Sequence, residues 1–159
     1  MILYHGSNII VKDPRIIETE RARDFGAGFY LTPIKAQAEK WAKIKVLREN
    51  KGQATVSCFL WDEDLSKVEH QEFDNPDKEW LEFIVKCRGD YKFKHGYDIV
   101  QGKIADDSVG ETVNFYLDGV ITQEQAIAKL KYQKINSQIA FCTEKSLKFI
   151  KFKESYLVK

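Results

Sequence analysis

Apolar residues along this chain form short runs that have either the alternation of a strand or the spacing of a helix. Strands are predicted at residues 2–4, 29–31, 54–61, 97–102, 138–142 and 147–152. Helices are predicted at residues 33–50, 76–89, 113–117 and 123–131. Two further start signals support this pattern: Thr122 with Gln125 predicts a capping box, and Thr143 predicts the cap of a single helical turn.

The order of these elements indicates a fold class. Strands and helices interleave without the regular βαβ order of a doubly wound sheet, and the polar, acidic residues 62–74 are predicted to be a connection. We therefore predict a single α+β domain over residues 1–159, with a mixed or antiparallel sheet core and flanking helices.

Residues 25–41 form the most informative stretch, a loop followed by a strand and a helix. Gly26 and Gly28 permit a tight turn or close approach to a ligand. Thr32 before Pro33 predicts a hydroxyl N-cap followed by proline at the first helical position. The apolar positions of this helix are Ile34, Ala38 and Trp41. Such a unit is compatible with nucleotide binding and equally with ordinary packing.

Composition excludes several classes of function. The net charge of +1 gives no global attraction for nucleic acid or an anionic membrane, although a local basic patch remains compatible with it. The three cysteines lack C-x-x-C spacing and fit neither a disulfide framework nor a zinc site. No stretch approaches the roughly 20 apolar residues of a membrane span. The amino-terminal residues lack signal-peptide features, so we expect a cytoplasmic protein.

Common cofactor and nucleophile motifs are missing from the sequence. It contains no G-x-G-x-x-G, no Walker A sequence and no nucleophile elbow. His70 and His95 have no partner at metal-ligand spacing, so no metal site is predicted. The remaining candidates are His5, Tyr30, Trp41 and the polar residues before Ile139. Two of them have ordinary alternatives: His5 bonded to a neighbouring carbonyl, and Trp41 as a core residue.

Three segments carry these candidates: residues 3–7 (Leu-Tyr-His-Gly-Ser), residues 28–32 (Gly-Phe-Tyr-Leu-Thr) with the following helix, and residues 136–141 (Asn-Ser-Gln-Ile-Ala-Phe). In this order they resemble the motifs of the ADP-ribosyltransferase superfamily, the fold shared by diphtheria-type toxins and poly(ADP-ribose) polymerases. The chain is also similar to a bacterial family catalogued as domain of unknown function 3990, with further matches at residues 23–26 and 98–107. Members of that family are thought to be ADP-ribosyltransferase-like and are often toxins of toxin–antitoxin pairs.

The resemblance implies a split β-sheet core, NAD as co-substrate and a role for each matching residue. The nicotinamide ring would lie between Tyr30 and Trp41, with its carboxamide on the Gly6 backbone. A ribose hydroxyl on the adenosine side would bond His5, and Ser7 would add a hydroxyl. The implied cofactor-binding set is His5, Gly6, Ser7, Gly28, Tyr30 and Trp41, and the implied catalytic set is His5, Tyr30 and Gln138.

The sequence departs from the family pattern at the catalytic glutamate. That position is occupied by Gln138, or by Ser137 if the strand is aligned one residue earlier. We choose Gln138, because glutamine best preserves the geometry of glutamate. A carboxylate about 4 Å from a unit positive charge contributes at most about 4 kcal/mol at an effective dielectric of about 20, which is roughly a thousandfold in rate. Some members of the superfamily lack this glutamate and still transfer a single ADP-ribose, so the resemblance implies single transfer rather than chain elongation.

The function implied is an NAD-dependent mono-ADP-ribosyltransferase, a bacterial toxin that modifies a protein or nucleic acid and is controlled by a small antitoxin protein. The alternative is a catalytically degenerate domain that binds NAD or a protein partner without turnover. Two further charged groups remain open. Asp106 and Asp107 face an acceptor or begin a helix, and Arg21 and Arg23 reach the NAD phosphates or lie on a solvated surface.

Overall fold

The computed structural model of the protein describes residues 1–18, 23–104, 107–130 and 136–159. It has the α+β architecture that the sequence pattern predicts. The strands are β1 (Ile2–Ser7), β2 (Phe29–Leu31), β3 (Thr55–Trp61), β4 (His70–Phe73), β5 (Ile99–Ile104), β6 (Asn136–Phe141) and β7 (Ile150–Leu157). The helices are α1 (Lys35–Glu49), α2 (Lys78–Gly89), α3 (Asp107–Leu117), α4 (Gln123–Leu130) and α5 (Glu144–Leu147).

The described strands form two sheets. One is antiparallel with the order β1-β3-β7, and the other is mixed with the order β2-β6-β5-β4, in which β4 runs parallel to β5. A bridge between Tyr4 and Thr32 joins β1 to the end of β2: each residue donates its N–H to the carbonyl of the other, at 2.8 and 3.0 Å. The ends of the first two predicted strands therefore lie next to each other.

Strand alternation divides the apolar residues into two cores. The inter-sheet core contains residues of both sheets, including Leu3, Phe59, Ile139 and Phe141. The helix-side core lies on the other face of the four-stranded sheet; its buried members include Phe25, Tyr30, Trp80, Val100 and Ala140. Ile139 and Ala140 are consecutive in β6, so neighbouring side chains of one strand supply opposite cores.

Helix α1 packs closely on β1. A Cβ atom on Gly6 would lie 2.0 Å from the carbonyl oxygen of Ala38 and 2.9 Å from the amide nitrogen of Ala42, so only glycine permits this approach. The buried residues of α1 are Gln37, Ala38 and Ala42. The prediction that Ile34 belongs to the apolar face is wrong, because its side chain is 42% exposed.

The predicted start of α1 is also wrong, although its predicted end is confirmed. The helix begins at Lys35, and Ile34 occupies the N-cap position without a side-chain cap. The Thr32 hydroxyl accepts from the Ile34 N–H at 3.1 Å and donates to the Ser137 carbonyl at 2.8 Å, so it links β2, α1 and β6. The helix ends at Asn50, which has the left-handed backbone conformation of a C-terminal stop (φ 46°).

Other boundaries differ from the sequence predictions. Strand β4 lies inside residues 62–74, which were predicted to be a connection, and α2 is capped by Asp77. Helix α3 is longer than the predicted helix at residues 113–117. Strands β5 and β7 are shifted by two or more residues at both ends, and β6 begins two residues earlier and ends one residue earlier than predicted. Both predicted caps are confirmed: Thr122 and Gln125 exchange hydrogen bonds at the start of α4, and Thr143 caps α5.

Candidate active site

The three segments singled out in the sequence are neighbours in the fold. The bridge between Tyr4 and Thr32 brings β1 to β2, and β2 pairs with β6 so that Tyr30 lies opposite Ala140. Gln138 is two residues from Ala140 and therefore projects from the same face as Tyr30, as its diagonal neighbour. The structure thus brings Tyr30 and Gln138 together from opposite ends of the chain.

Tyr30 is largely buried and holds the loop before its own strand. Its hydroxyl donates to the Gly26 carbonyl and accepts from the Phe25 N–H at 3.1 Å. Its ring is stacked at 6.4 Å from the Phe25 ring, and the Arg23 guanidinium lies 5.4 Å from the ring centre. Burial raises the pKa of this phenol well above its usual value. Since the hydroxyl is occupied, the ring is the part of Tyr30 that can contact a ligand.

His5 is a neutral side chain with a defined tautomer. Its Nδ1 lies 2.8 Å from the Tyr30 carbonyl oxygen, and because a carbonyl only accepts, Nδ1–H must be the donor. Burial lowers the pKa of His5 to about 4. Nε2 therefore carries a lone pair, and no group in the described part of the chain bonds it. The ordinary interpretation is correct about the bond to a neighbouring carbonyl, which leaves Nε2 as an acceptor. It is wrong about the end of the strand, because β1 continues to Ser7 and His5 lies inside it.

Gly6 has its peptide groups at the edge of β1 that faces β2. Successive residues of a strand direct their peptide groups to opposite edges, so Gly6 uses the same edge as Tyr4, whose groups bond Thr32. Beyond that bridge, no backbone hydrogen bond is found at this edge for Gly6 within the described residues. Its N–H and C=O are therefore available to a ligand.

Ser7 and Gly28 serve packing. The Ser7 side chain is 1% exposed, and its hydroxyl lies 3.5 Å from the Asn8 side-chain oxygen. A Cβ atom on Gly28 would lie 2.9 Å from the Phe141 carbonyl oxygen, so glycine is needed where the loop passes the end of β6. Their proposed contacts with a cofactor stay predictions.

Trp41 and two glutamines complete this region. Trp41 is half-buried and packs against the helix-side core that contains Tyr30. Gln138 is 6% exposed, and its carboxamide makes no hydrogen bond with any described residue. Gln37, one turn before Trp41 on α1, is 5% exposed, and neither its Nε2 nor its Oε1 has a partner among the described residues.

The alternative alignment, with Ser137 in place of Gln138, leads to another part of the molecule. Ser137 lines a cavity of about 370 Å³ at the margin of the inter-sheet core, together with Pro33, Trp61, Gln101 and Ile139. Gln138 lies on the opposite face of β6 from this cavity, since consecutive strand residues alternate. Of the two residues, Gln138 is the one that shares a face with Tyr30. The catalytic role of Gln138 stays a prediction.

A family model described as "Protein of unknown function (DUF3990)" matches residues 1–152. The chain belongs to this family. No curated protein matches the chain. All the candidate residues of this DUF3990 protein, from His5 to Gln138, lie inside the matched range.

Within residues 98–107 of this DUF3990 chain, Asp98 has a structural role. The Asp98 carboxylate accepts from the Thr143 hydroxyl at 2.7 Å and the Glu69 N–H at 2.9 Å, and it pairs with Lys145 at 3.3 Å. Burial raises the pKa of Asp98, but these hydrogen bonds outweigh it and hold the pKa below its usual value. Asp98 therefore ties β4 and α5 to the start of β5.

The remaining charged candidates are only partly placed. Arg21 and Asp106 lie outside the described residues, and Asp107 is the first residue of α3. In the described ranges, no group of three or more His, Cys, Asp or Glu residues is arranged to hold a metal ion. Within the same ranges, none of the helices combines the length and the apolar character that crossing a membrane requires.

The residue that the sequence interpretation missed is Gln37. A signal for it was present: a polar residue one turn before Trp41, within the face of α1 that packs on the sheets. The helical spacing of Ile34, Ala38 and Trp41 identifies only apolar positions, so it does not indicate a buried polar residue on the same helix.

Proposed function

We propose that this protein is an NAD-dependent mono-ADP-ribosyltransferase. The observation that carries the proposal is the meeting of β1, β2 and β6, which puts the His5 ring on the Tyr30 carbonyl and the Gln138 side chain diagonal to Tyr30. His5 precedes Tyr30 by 25 positions and Gln138 follows it by 108, yet all three residues meet here. The resemblance of the three segments to ADP-ribosyltransferase motifs supplies the chemistry.

The groups present fit the nicotinamide half of NAD, which consists of an aromatic ring, a carboxamide and a ribose. Gly6 offers a free N–H and C=O, His5 offers an unprotonated Nε2, and Gln138 offers a carboxamide without a partner. Tyr30 and Trp41 contribute apolar ring surface from the sheet and from α1. Aromatic contacts contribute about 0.5–1.5 kcal/mol each beyond area burial and fix ring orientation.

NAD, as co-substrate, supplies the ADP-ribosyl group and the nicotinamide leaving group. The bond that breaks joins the ribose C1′ to the nicotinamide nitrogen, and its electron pair leaves with nicotinamide. The bond that forms joins C1′ to a nucleophile of the acceptor, which loses a proton. Gln138 accepts a hydrogen bond from the ribose 2′-hydroxyl through its amide oxygen and stabilises the positive ribose by its dipole alone.

The proposal includes a macromolecular acceptor, either a protein or a nucleic acid, and a small antitoxin protein that blocks the site. Both come from the resemblance to families whose members are often toxins. We place the reaction in the cytoplasm, where the three cysteines, which are all free, are kept reduced.

A second function is favoured by a separate observation. Gln138 is neutral, so this position lacks the carboxylate charge that would stabilise a positive ribose, and this favours a site that binds without turnover. In this alternative the protein binds NAD or a protein partner and transfers nothing.

Labelled NAD distinguishes the two functions. With a bacterial lysate as the source of acceptors, the native chain is expected to label a macromolecule. Gln138→Leu should lower the labelling rate at least tenfold. Gln138→Glu should raise the rate towards the thousandfold limit set by one added charge. Gln53→Leu makes the same chemical change at an exposed position and is the control. Absence of label with both the native chain and Gln138→Glu, while NAD binds, favours the alternative.

A further inference from the structure

Gln37 is a buried polar side chain without a hydrogen-bond partner. It lies in α1, is 5% exposed, and both its Nε2 and its Oε1 lack partners among the described residues. Buried carboxamides are almost always hydrogen-bonded, because an unmade bond leaves the cost of desolvation uncompensated. A methionine or leucine would fill the same volume without that cost, so the amide needs another explanation.

The position of Gln37 points to the candidate site. It lies one turn before Trp41, and residues four apart project from the same side of a helix. The next residue, Ala38, lies directly over Gly6, because its carbonyl occupies the space of a Gly6 Cβ. Gln37 is therefore close in the fold both to the Trp41 ring and to the β1 edge where Gly6 has a free N–H and C=O.

We infer that Gln37 binds the carboxamide of the nicotinamide half of NAD and selects NAD over its deamidated analogue, nicotinic acid adenine dinucleotide. This inference rests on the proposed function. A primary carboxamide has two N–H donors and two acceptor lone pairs, and the single N–H and C=O of Gly6 satisfy one of each. Gln37 supplies the second acceptor and the second donor.

The selectivity follows from the chemistry of the two ligands. The deamidated analogue has a carboxylate in place of the carboxamide, so it has no donor for the Gln37 Oε1 or the Gly6 carbonyl. A site built for hydrogen bonding rejects an analogue that leaves its buried groups unpaired. Gln37 is a specificity residue, and it takes no part in breaking the glycosidic bond.

Calorimetric titration with NAD and with nicotinic acid adenine dinucleotide tests this inference. The native chain is expected to bind NAD about tenfold or more tightly than the deamidated analogue. Gln37→Met is expected to bind NAD about tenfold more weakly than the native chain and to lose most of this preference. Gln53→Met changes an exposed glutamine in the same way and is expected to behave like the native chain. Thermal melting without ligand provides a second readout, in which Gln37→Met should melt above the native chain because a buried unpaired amide has been removed.

Each outcome has a distinct meaning. Equal NAD affinity or an equal preference in the native chain and Gln37→Met overturns the role of Gln37 and leaves the proposed function standing. A lower melting temperature of ligand-free Gln37→Met also overturns it, because the amide would then be satisfied within the protein. Absence of NAD binding by both the native chain and Gln53→Met overturns the proposed function and this inference with it.

Discussion

Gly6 is required for the packing of α1 on β1, and its peptide groups lie at an edge of β1 without backbone partners among the described residues. Its missing side chain lets α1 approach β1, and its peptide groups lie where β1 and β2 separate. The sequence resemblance predicted only the second property, because a helix carbonyl over a strand glycine is a long-range contact. His5, the preceding residue, shows the reverse: its backbone pairs with Ser57 in β3, while its ring reaches the Tyr30 carbonyl.

Gly6→Ala is expected to lower the free energy of unfolding by about 2–3 kcal/mol, because the new methyl group overlaps the Ala38 carbonyl and α1 must move. Urea denaturation measures this loss. Gly110→Ala is the matched control: its Cβ would lie 3.6 Å from Arg88, an ordinary contact, in the interior of α3. The control should be neutral or stabilising. A Gly6→Ala chain as stable as native would contradict the close packing of α1 on β1.

Acid is expected to destabilise the protein through His5. Its pKa is lowered from 6.5 to about 4 in the folded state, so between these values the unfolded chain binds the additional proton. Stability is therefore complete above about pH 6.5 and falls as the pH decreases, by about 2 kcal/mol at pH 5 from this group alone.

Urea titrations at pH 7.5 and pH 5 in the native chain and in His5→Gln test the contribution of His5. The variant should lose less stability on acidification, by about 2 kcal/mol. His70→Gln makes the same substitution at an exposed histidine in β4 and is the control for the change of side chain. An unchanged pH dependence in His5→Gln would show that the histidine is solvated in the folded state.

Helix α1 shows what local sequence signals can predict and what they cannot. Its stop at Asn50 and the capping box at the start of α4 are properties of a few adjacent residues, and both were predicted correctly. Its start was not, because the Thr32 hydroxyl is engaged by Ser137, which is 105 positions away in the chain. Strand β4 was missed for a similar reason: its four residues, His-Gln-Glu-Phe, are held by pairing with β5 and have little strand propensity of their own.

Thr32→Val is expected to lower the free energy of unfolding by about 2–3 kcal/mol, since it leaves the Ser137 carbonyl and the Ile34 N–H without their side-chain partner in a buried position. Thr122→Val removes an exposed helix cap from α4 and should cost about 1 kcal/mol. Chemical denaturation of both variants provides the comparison. A smaller loss in Thr32→Val than in Thr122→Val would mean that Thr32 acts only as a local cap.

The candidate site is assembled by the whole molecule. Its parts come from β1 and α1 on one side and from β2 and β6 on the other, and they meet where the two sheets adjoin. The sequence indicated which residues belong together through the order of three motifs, and the structure adds that Tyr30 and Gln138 share a sheet face. The sequence shows Gln37 only as a polar residue one turn before Trp41. That its amide has no partner among the described residues becomes evident only from the structure. The single-domain organisation and the superfamily assignment stay predictions.

Ligand binding should stabilise the molecule as a whole. At an NAD concentration 100 times the dissociation constant, linkage predicts about 2.7 kcal/mol of added stability, or about 5–10 °C in melting temperature for a chain of this length. Thermal-shift measurements with NAD test this. Adenosine monophosphate, which lacks the nicotinamide half, should give a smaller shift at the same concentration. Equal shifts for the two nucleotides would place the recognised group on the adenosine side.

Strand β7 lies at one edge of the three-stranded sheet, and this position bears on whether copies of the protein associate. Strand β7 is an eight-residue outer strand of the sheet formed by the described residues, and the open edge of a strand of that length is a template on which a second chain can add. Lys151 and Lys153 are exposed on it, two residues apart, and lie on the same side of the strand. Charged lysines on an outer strand disfavour the addition of a second copy, so the longest outer strand among the described residues is protected against edge-to-edge aggregation.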